Sequence, residues 1–370
     1  MENAKVALVH DWLTGQRGGE KVLEVFAEIF PDAPIYTLFH FPGSQAEEIE
    51  QRTIHTSFLQ KMPWLRKRYR WYLYLYPLAV ELFDLQNYDL IISSSHCVAK
   101  GAIPRPDALH ISYIHSPMRY AWNQYFTYFS PDKLGFFSRR FIPLVIHRLR
   151  QWDVTSASRV DHFLANSKTV ARRIYRYYRR KADVVYPPVN TDLFQPGNQK
   201  GDYYLVVSAL VPYKRLDLAI ETFNINGLKM MIVGNGPDYK KLKKAANKNI
   251  EFLGFLSPQE LLQAYQGATA LLMPGEEDFG INSLEAQACG IPVVAYGRGG
   301  ATETIIPQET GLFFPKLTVQ SLQTALDKFQ GIAFNKSTIR ANALTFSRDL
   351  FKKKISTLFR EKWNEFQSEK

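Results

Sequence analysis

Short apolar runs that end in small polar residues recur along the first half of the chain, at residues 6–9, 89–93, 109–115 and 162–167. Unbroken apolar runs of this length are typical of strands in a parallel sheet, because helices cover both faces of such a sheet. A glycine pair, Gly18 and Gly19, opens a helix-like segment that extends to Ile29. Together these features predict an α/β fold in which strands and helices alternate.

The pattern restarts after a stretch of turn-forming residues at 195–201, where we place a domain boundary. The second half carries four more apolar runs, separated by helix-like segments, at 204–208, 230–234, 270–274 and 292–295. The expectation is two doubly wound, Rossmann-like domains, at 1–190 and 200–347, with ligands at the carboxyl ends of the strands.

The last segment, 348–366, predicts one amphipathic helix whose apolar positions are Leu350, Phe351, Ile355, Leu358 and Phe359. We expect this C-terminal part, 348–370, to cross back to the first domain.

The composition is that of a folded protein, since 46% of the 370 residues are hydrophobic and 22% are charged. Cys97 and Cys289 lie far apart without metal-ligand spacing, which argues against a disulfide framework and against a zinc site. The N-terminal apolar run reaches a polar residue too soon for a signal peptide, so we expect a cytoplasmic protein. No apolar stretch is long enough to span a bilayer.

A formal net charge of +11 calls for an anionic partner. Six cations stand at 52–70 with no acidic residue between them: Arg52, Lys61, Arg66, Lys67, Arg68 and Arg70. Aromatic residues are interleaved with them and continue to Tyr76, and similar stretches occur at 136–150 and 172–181.

This mixture of cations and aromatic residues fits peripheral docking on anionic lipid at the inner face of the plasma membrane. The alternative is that the aromatic residues form core and the arginines a solvated face. Nucleic-acid binding is the weakest reading of the charge, because no recognised motif for it appears.

Two helix starts in the second half are candidate phosphate sites, because the first amides of a helix lack partners and its dipole attracts anions there. Gly234 and Gly236 follow a strand and precede a helix-like segment, although a plain tight turn would explain them as well. Gly280, Ile281 and Asn282 lie between the strand at 270–273 and the next helix.

Charged residues accompany these helix starts. Glu277 lies in the loop before a helix predicted at 284–288, and Glu285 lies in its first turn; a solvated loop charge and an acid favoured by the helix dipole are the plain alternatives. Lys214 and Arg215 stand at another predicted helix start, where the dipole disfavours cations, so an anionic ligand is the simplest reason for them.

The first half offers its own candidates. Gly18 and Gly19, with Arg17 as a neutralising charge, could close over a diphosphate, and a flexible connection is equally consistent. His115 ends a predicted strand. A lone histidine is more often structural, but this placement favours a functional role.

Taken together, these segments resemble family 4 of the retaining glycosyltransferases, which have the GT-B fold, two Rossmann-like domains facing across a cleft. The most specific match is the pair of glutamates eight positions apart, Glu277 and Glu285, followed by the run at 286–295. Further matches, which extend the resemblance over most of the chain, are Lys214 and residues 234–237, 252–255, 299–303 and 311–312.

The resemblance implies a role for each matched residue. Glu277 would bind the hydroxyls of the donor sugar and Glu285 the ribose, while Lys214 and Arg215 would hold the diphosphate. His115 would face the reacting sugar. Backbone amides or close approach would be supplied by Gly18, Gly19, Gly234, Gly236, Gly280, Ile281 and Asn282, and Phe255 would lie beside the base.

The stretches 211–220 and 276–281 look most like the GDP-mannose-dependent mannosyltransferases of bacterial O-antigen and exopolysaccharide assembly. This implies retaining transfer of α-mannose from GDP-mannose to a saccharide acceptor linked to a polyprenyl diphosphate. No metal or other cofactor is expected, because no Asp-x-Asp pattern appears. The alternatives are a UDP-sugar donor, a sugar-nucleotide epimerase, or a sugar-nucleotide-binding protein with impaired catalysis.

One position departs from the family pattern. The family usually has Gly-Arg-Leu where this chain has Ser208, Ala209 and Leu210, so a phosphate-binding arginine is absent at Ala209. Loss of one charge-assisted hydrogen bond weakens such a site by about 1.5 to 3 kcal/mol. Either Arg215 substitutes for the missing cation, or activity is impaired.

Overall fold

The computed structural model describes residues 4–129, 135–198 and 201–370, with the backbone alone at 136–138. The chain divides into two compact units, one formed by Met1–Pro187 with Phe351–Lys370 and the other by Pro188–Leu350. The division lies ahead of the turn-rich segment 195–201. Val189, which precedes that segment, belongs to the second unit and donates a backbone hydrogen bond of 3.0 Å to the carbonyl of Phe346 there.

The first unit contains a sheet of parallel strands. Their bounds are Val6–His10 (β1), Ile35–Thr37 (β2), Ile54–Thr56 (β3), Leu90–Ser95 (β4), Leu109–Ile114 (β5), His162–Ala165 (β6) and Ala182–Val184 (β7). The spatial order is β3-β2-β1-β4-β5-β6-β7, so the direction of winding reverses between β1 and β4. Every residue of β1 is buried, as its unbroken apolar pattern predicts.

Helices cover both faces of this sheet. Their bounds are Gly18–Ile29 (α1), Glu47–Glu50 (α2), Leu65–Arg68 (α3), Tyr76–Glu81 (α4), Tyr125–Tyr128 (α5), Phe136–Ser156 (α6) and Lys168–Tyr178 (α7). Val6 and Leu8 belong to one hydrophobic core, and Ala7 and Val9 belong to the other. Alternate side chains of one strand therefore serve opposite layers.

The C-terminal helix, Arg348–Ser368, completes the first of these cores. Phe351, Ile355 and Phe359 recur every four residues and are buried on one face. The rings of Phe351 and Phe359 lie 6.3 and 5.4 Å from the ring of Phe26 in α1. Leu350, which the periodicity also places on the apolar face, is half exposed. Each buried side chain contributes roughly 1.5 to 3 kcal/mol.

The second unit repeats the architecture. Its strands are Tyr203–Val207 (β8), Lys229–Val233 (β9), Ile250–Gly254 (β10), Ala268–Met273 (β11), Val293–Tyr296 (β12) and Gly311–Phe314 (β13). They form a parallel sheet in the order β10-β9-β8-β11-β12-β13, so winding reverses between β8 and β11. The prediction of two doubly wound, Rossmann-like domains is confirmed.

The helices of the second unit form a hydrophobic core on each face of its sheet. Their bounds are Leu216–Asn226 (α8), Tyr239–Ala245 (α9), Pro258–Gln266 (α10), Ile281–Ala288 (α11), Ala301–Thr304 (α12), Val319–Gln330 (α13) and Lys336–Leu344 (α14). The helix predicted at 284–288 thus begins three residues earlier, at Ile281.

A buried ion pair joins α6 to the turn that follows β4 in the first unit. The ammonium of Lys100 lies 3.1 Å from Asp153 Oδ1 and donates to Ser156 Oγ at 2.6 Å, and both charged side chains are almost fully buried. Burial lowers the pKa of Lys100, and Asp153 opposes that shift. Removal of one partner from such a pair costs about 3 to 5 kcal/mol, because the other charge is left uncompensated.

Residues 64–82, here called the aromatic-basic segment, have two different sides. The inner side packs into the core through Leu65, Tyr76 and Val80. The outer side exposes the apolar residues Trp64, Trp71, Tyr74, Leu78 and Leu82, of which each is about half exposed or more. The alternative that the aromatic residues form core therefore holds for Tyr76. It does not hold for Trp64, Trp71 and Tyr74, which are exposed. Within the described ranges, no helix combines the length and the apolar character that crossing a bilayer requires.

Candidate functional site

The reversal of winding in the second sheet brings together two loops, the one after β8 and the one after β11. Ligands of open α/β sheets bind where strand order reverses, at the carboxyl ends of the strands. Lys214 lies in the first loop and Glu277 in the second, and the Lys214 ammonium donates a hydrogen bond to Glu277 Oε1 in an ion pair. Their side chains are only 14% and 17% exposed. The structure therefore joins two of the predicted site residues.

Glycines hold the loop after β11 in place. A Cβ atom at Gly275 would lie 2.6 Å from the carbonyl oxygen of Tyr213, so only glycine lets the two loops approach this closely. A Cβ atom at Gly299 or Gly300 would collide with the backbone of residues 277–279. Gly300 also donates a backbone hydrogen bond of 2.8 Å to the carbonyl of Glu277. The position of Glu277 is thus fixed by backbone packing.

Arg215 caps α8 in a left-handed conformation, with φ of 54°. Its guanidinium binds the Asp217 carboxylate through Nε and a terminal nitrogen, each at 3.1 Å. The two cations that the helix dipole disfavours are therefore each paired with a carboxylate, Lys214 with Glu277 and Arg215 with Asp217. Ala209, exposed in the same loop, adds no charge.

Gly280, Ile281 and Asn282 form the start of α11. Gly280 adopts φ of +85°, a conformation that glycine tolerates, and the helix begins at the next residue. The Asn282 amide donates a 2.6 Å hydrogen bond to the carbonyl of Val207 at the end of β8. The first amides of α11 therefore lie at the same sheet edge as Lys214, and a helix start of this kind favours an anion.

The prediction that Glu285 lies in the first turn of a helix is wrong. Because α11 begins at Ile281, Glu285 is its fifth residue and is 3% exposed. The hydroxyl of Tyr265 donates to its carboxylate at 3.0 Å. Burial raises the pKa of Tyr265, which keeps that hydroxyl a donor. Glu285 is thus a buried, hydrogen-bonded carboxylate one turn below the helix start.

Gly234 and Gly236 pack against the loop that follows β8. A Cβ atom at either position would collide with a backbone carbonyl, that of Ser208 or that of Leu210. The Leu210 amide also donates a hydrogen bond of 3.0 Å to the Asn235 carbonyl, and the Leu210 carbonyl accepts one of 3.1 Å from the Asp238 amide. Close packing of two turns is enough to explain these glycines. Phe255, the residue that follows β10, is 86% exposed.

In the first unit, His115 follows β5 and its Nε2 lies 2.8 Å from Ser94 Oγ. A Cβ atom at Gly19, in the first turn of α1, would lie 3.5 Å from the same ring nitrogen. Gly18 is the first residue of that helix. The three predicted residues Gly18, Gly19 and His115 are therefore brought together at the carboxyl edge of the first sheet.

Sequence reasoning missed two histidines and an acid beside them. His10 ends β1 and His96 follows β4, on either side of the point where winding reverses. Their rings are 6.2 Å apart, and the His10 ring lies 4.0 Å from Glu20. The rule that drew attention to His115, a polar residue at a strand end, would have found both histidines.

The two histidines act on the charge of Glu20. Burial alone would raise the pKa of Glu20, but His10 and His96 bring it below its ordinary value. Asp11 is fully buried and accepts four backbone hydrogen bonds of 2.6 to 2.9 Å from residues 96–99. Asp11 thereby fixes the turn that carries His96. Among the described residues, no group of three His, Cys, Asp or Glu side chains is arranged to hold a metal ion.

Two family models match the chain, one over each unit. The model described as Glycosyltransferase Family 4 matches residues 18–193, and the model described as Glycosyl transferases group 1 matches residues 190–331. The second match contains Lys214, Glu277 and Glu285, and the first contains Gly18, Gly19 and His115.

Curated relatives align over part of their length. An uncharacterized glycosyltransferase of Methanocaldococcus jannaschii is 28% identical over 51% of this chain and 55% of its own. A D-inositol 3-phosphate glycosyltransferase of Mycobacteroides abscessus is 29% identical over 48% of this chain and 47% of its own. A GDP-mannose-dependent monoacylated alpha-(1-6)-phosphatidylinositol monomannoside mannosyltransferase of Corynebacterium glutamicum is 37% identical over 26% and 28%. The chain spans about half the length of the first two.

Solved structures match nearly the whole chain. The Anabaena protein HepE, crystallised with UDP and glucose, superposes with a TM-score of 0.71 over 97% of this chain and 100% of its own, at 17% identity. At that identity the likeness establishes the fold alone. The chain therefore combines a Glycosyltransferase Family 4 domain with a Glycosyl transferases group 1 domain on the GT-B fold.

Proposed function

We propose that this protein is a retaining glycosyltransferase that moves α-mannose from GDP-mannose to a saccharide acceptor. The observation that carries the proposal is the Lys214–Glu277 pair beside the start of α11, at the point where winding of the second sheet reverses. A cation next to helix amides suits a diphosphate, and a carboxylate next to it suits sugar hydroxyls. The relative from Corynebacterium glutamicum is named as GDP-mannose-dependent, which supports the choice of donor.

The donor would be held by the second unit. Lys214, Arg215 and the first amides of α11, at Ile281 and Asn282, would neutralise the diphosphate. Glu277 would accept hydrogen bonds from the sugar. Glu285 would bind the ribose, while the glycines at 234, 236 and 280 would let the backbone approach the nucleotide and the exposed Phe255 ring would stack on the base.

The first unit would bind the acceptor. Gly18 and Gly19 form the start of α1, whose dipole favours negative charge, so we assign them to substrate phosphate. His115, oriented by Ser94, would contact the reacting sugar as a hydrogen-bond partner. Glu20, His10 and His96 would position these groups.

Transfer would proceed on one face of the sugar. The bond between C1 and the diphosphate oxygen breaks, the acceptor oxygen bonds to C1 from the same side, and the acceptor proton passes to the leaving diphosphate. Charge that develops on the diphosphate is stabilised by Lys214, Arg215 and the helix amides, which is the largest contribution such a site can make. No protein carboxylate acts as nucleophile in this scheme.

We further propose that the acceptor is linked to a polyprenyl diphosphate and is met at an anionic membrane surface, on the inner face of the plasma membrane. The aromatic-basic segment supports this, because its outer side carries exposed tryptophans among arginines. The Arg68 guanidinium lies 5.6 and 4.1 Å from the rings of Trp64 and Trp71. Of the two other basic stretches, the one at 136–150 falls partly outside the described side chains.

The proposal is tested by incubating the protein with GDP-mannose and with UDP-glucose, each with polyprenyl-diphosphate-linked saccharides. Mass spectrometry should show a lipid product larger by one hexose from GDP-mannose, and NMR of the product should show the α configuration of the donor. Glu277→Ala should lose transfer, whereas Glu221→Ala, on the exposed side of α8, should retain it.

Each alternative has its own outcome in the same assay. A product formed from UDP-glucose alone would assign a UDP-sugar donor, as the UDP-bound structural neighbour suggests. Conversion of the sugar nucleotide without an acceptor product would identify an epimerase. Binding of GDP-mannose without hydrolysis or transfer would identify a binding protein, which the absence of an arginine at Ala209 favours.

A further inference from the structure

The Lys214–Glu277 ion pair joins two side chains to which the proposed function gives different parts of one ligand. Lys214 would bind the diphosphate and Glu277 the sugar, but in the structure each binds the other. A diphosphate therefore meets a lysine whose charge is already neutralised by a carboxylate.

A sugar nucleotide and a free nucleoside diphosphate differ in the hydrogen-bond donors that they offer to Glu277. A sugar nucleotide brings hydroxyl donors that can replace the lysine as partners of the carboxylate. A nucleoside diphosphate has no sugar hydroxyls to donate to Glu277. When it binds Lys214, Glu277 loses the lysine as a partner and gains none in return, in a site that is mostly removed from water. Loss of a partner from a poorly hydrated carboxylate is unfavourable.

Resting on the proposed function, we infer that the Lys214–Glu277 pair is a specificity device that favours the sugar nucleotide over the free nucleoside diphosphate. The pair also promotes product release. Once the sugar has left with the acceptor, Glu277 competes again with the diphosphate for Lys214.

The geometry allows Lys214 and Glu277 to exchange partners while the backbone stays in place. Gly275 holds the Glu277 loop against the backbone of Lys214, and Gly299 and Gly300 hold it from the other side. Neither backbone segment has to move for the exchange. Only the two side chains change partners, and both keep about one-sixth of their surface in solvent.

The inference is tested by calorimetric titration of the purified full chain with GDP and with GDP-mannose, repeated with UDP and UDP-glucose. Glu277→Gln keeps the shape of the side chain and removes its charge. It should bind the nucleoside diphosphate about fivefold to tenfold more tightly than the wild type, the range expected for release of a partly buried ion pair. The sugar nucleotide should gain nothing, so the preference for it should fall by the same factor.

Two further variants make the test specific. Glu221→Gln removes one negative charge from the exposed side of the neighbouring helix α8 and should leave both affinities at the wild-type value. In a Lys214→Gln background, the effect of Glu277→Gln on nucleoside diphosphate affinity should disappear, because there is no lysine to release. Thermal unfolding checks that each variant is folded, and Glu277→Ser is the substitute if the glutamine variant is not.

The inference is overturned if Glu277→Gln leaves nucleoside diphosphate affinity unchanged or weaker. It is also overturned if the gain persists in the Lys214→Gln background, since the carboxylate would then act by plain repulsion. Failure of the proposed function is distinct from both results, because it shows as a missing transfer product, or as a wild-type protein that binds neither the nucleoside diphosphates nor the sugar nucleotides.

Discussion

Ala209 occupies the position where the family resemblance implies an arginine, and its side chain is exposed in the loop that contains Lys214. The nearby cation, Arg215, is already bound to Asp217. A diphosphate at this site therefore finds fewer available cations than the family pattern supplies.

We predict that Ala209→Arg tightens GDP binding by about tenfold or more, the effect of one charge-assisted hydrogen bond of about 1.5 to 3 kcal/mol. Calorimetric titration measures the change. Ala209→Gln, which adds a polar chain without charge, is the matched control. Equal affinities in the two variants would mean that Arg215 already substitutes for the missing arginine.

The hydrogen bond from Tyr265 to Glu285 is buried on both sides. We predict that Tyr265→Phe lowers the free energy of unfolding by about 1 to 3 kcal/mol, because a buried carboxylate loses a donor. Nucleotide affinity should fall with it if Glu285 binds the ribose. Tyr203→Phe is the control, since that hydroxyl donates to the Ala264 carbonyl in a half-buried setting. Urea unfolding measures the effect on stability, and titration with GDP measures the effect on nucleotide affinity. A Tyr265→Phe variant as stable as the wild type would contradict the predicted loss of stability.

At this scale the candidate site residues could be selected from the sequence, but their pairings could not. Lys214 and Glu277 are 63 positions apart, and nothing local to either indicates that they meet. The loops that bring them together are set by close backbone contacts at Gly275 and Gly299, which depend on the whole sheet. His10 ends β1, so the rule that selects His115, a polar residue at the end of a strand, selects His10 as well.

Among the elements, the long buried strands were the most predictable. The apolar runs at 6–9 and 270–274 correspond to β1 and β11, since continuous burial leaves an unbroken signal. β2 and β3, with three residues each, are too short to show any period. The start of α11 was misplaced because Gly280 adopts a left-handed conformation that the sequence alone does not reveal.

Strand β5 carries a buried titratable group, His110. Its ring nitrogens lie 2.9 Å from Ser93 Oγ and 3.1 Å from the Arg159 carbonyl, and burial lowers its pKa to about 4. Between that value and the ordinary value of about 6.5, the unfolded chain binds a proton that the folded chain does not. Stability is therefore lost as the pH falls through this window.

We predict that the free energy of unfolding falls by about 2 kcal/mol between pH 7 and pH 5 because of His110. His110→Gln should remove that part of the pH dependence in urea unfolding. His147→Gln, which changes an exposed histidine of α6, should keep the wild-type dependence. If the two variants follow the same pH curve, the assignment to His110 is wrong.

At the scale of the whole molecule, only part of the formal charge of +11 lies in the aromatic-basic segment, which carries Arg66, Lys67, Arg68 and Arg70 against the single acid Glu81. The charge pattern could be predicted from the sequence. The exposure of Trp64 and Trp71 could not, since the neighbouring Tyr76 has a similar sequence context and is buried. Only the packing of the segment against the sheet decides which rings face solvent.

We predict that the protein floats with vesicles of anionic phospholipid at low salt and is released at high salt, because the attraction of arginines to lipid is screened. Trp71→Ser should weaken flotation severalfold by removing an apolar group that can enter the interface. Ile225→Ser, which changes a residue of the second unit that is 71% exposed, is the control. Absence of flotation at moderate salt, or equal losses in both variants, would refute docking through this segment.

The C-terminal helix has a consequence for how the protein is made. The first unit contains residues from both ends of the chain, so the ribosome must synthesise the entire second unit before Phe351 and Phe359 become available to cover Phe26. Until then the face of α1 that they bury stays open to water and to other nascent chains. Residues 188–350 can mature during translation, whereas the unit that begins first is the one that finishes last.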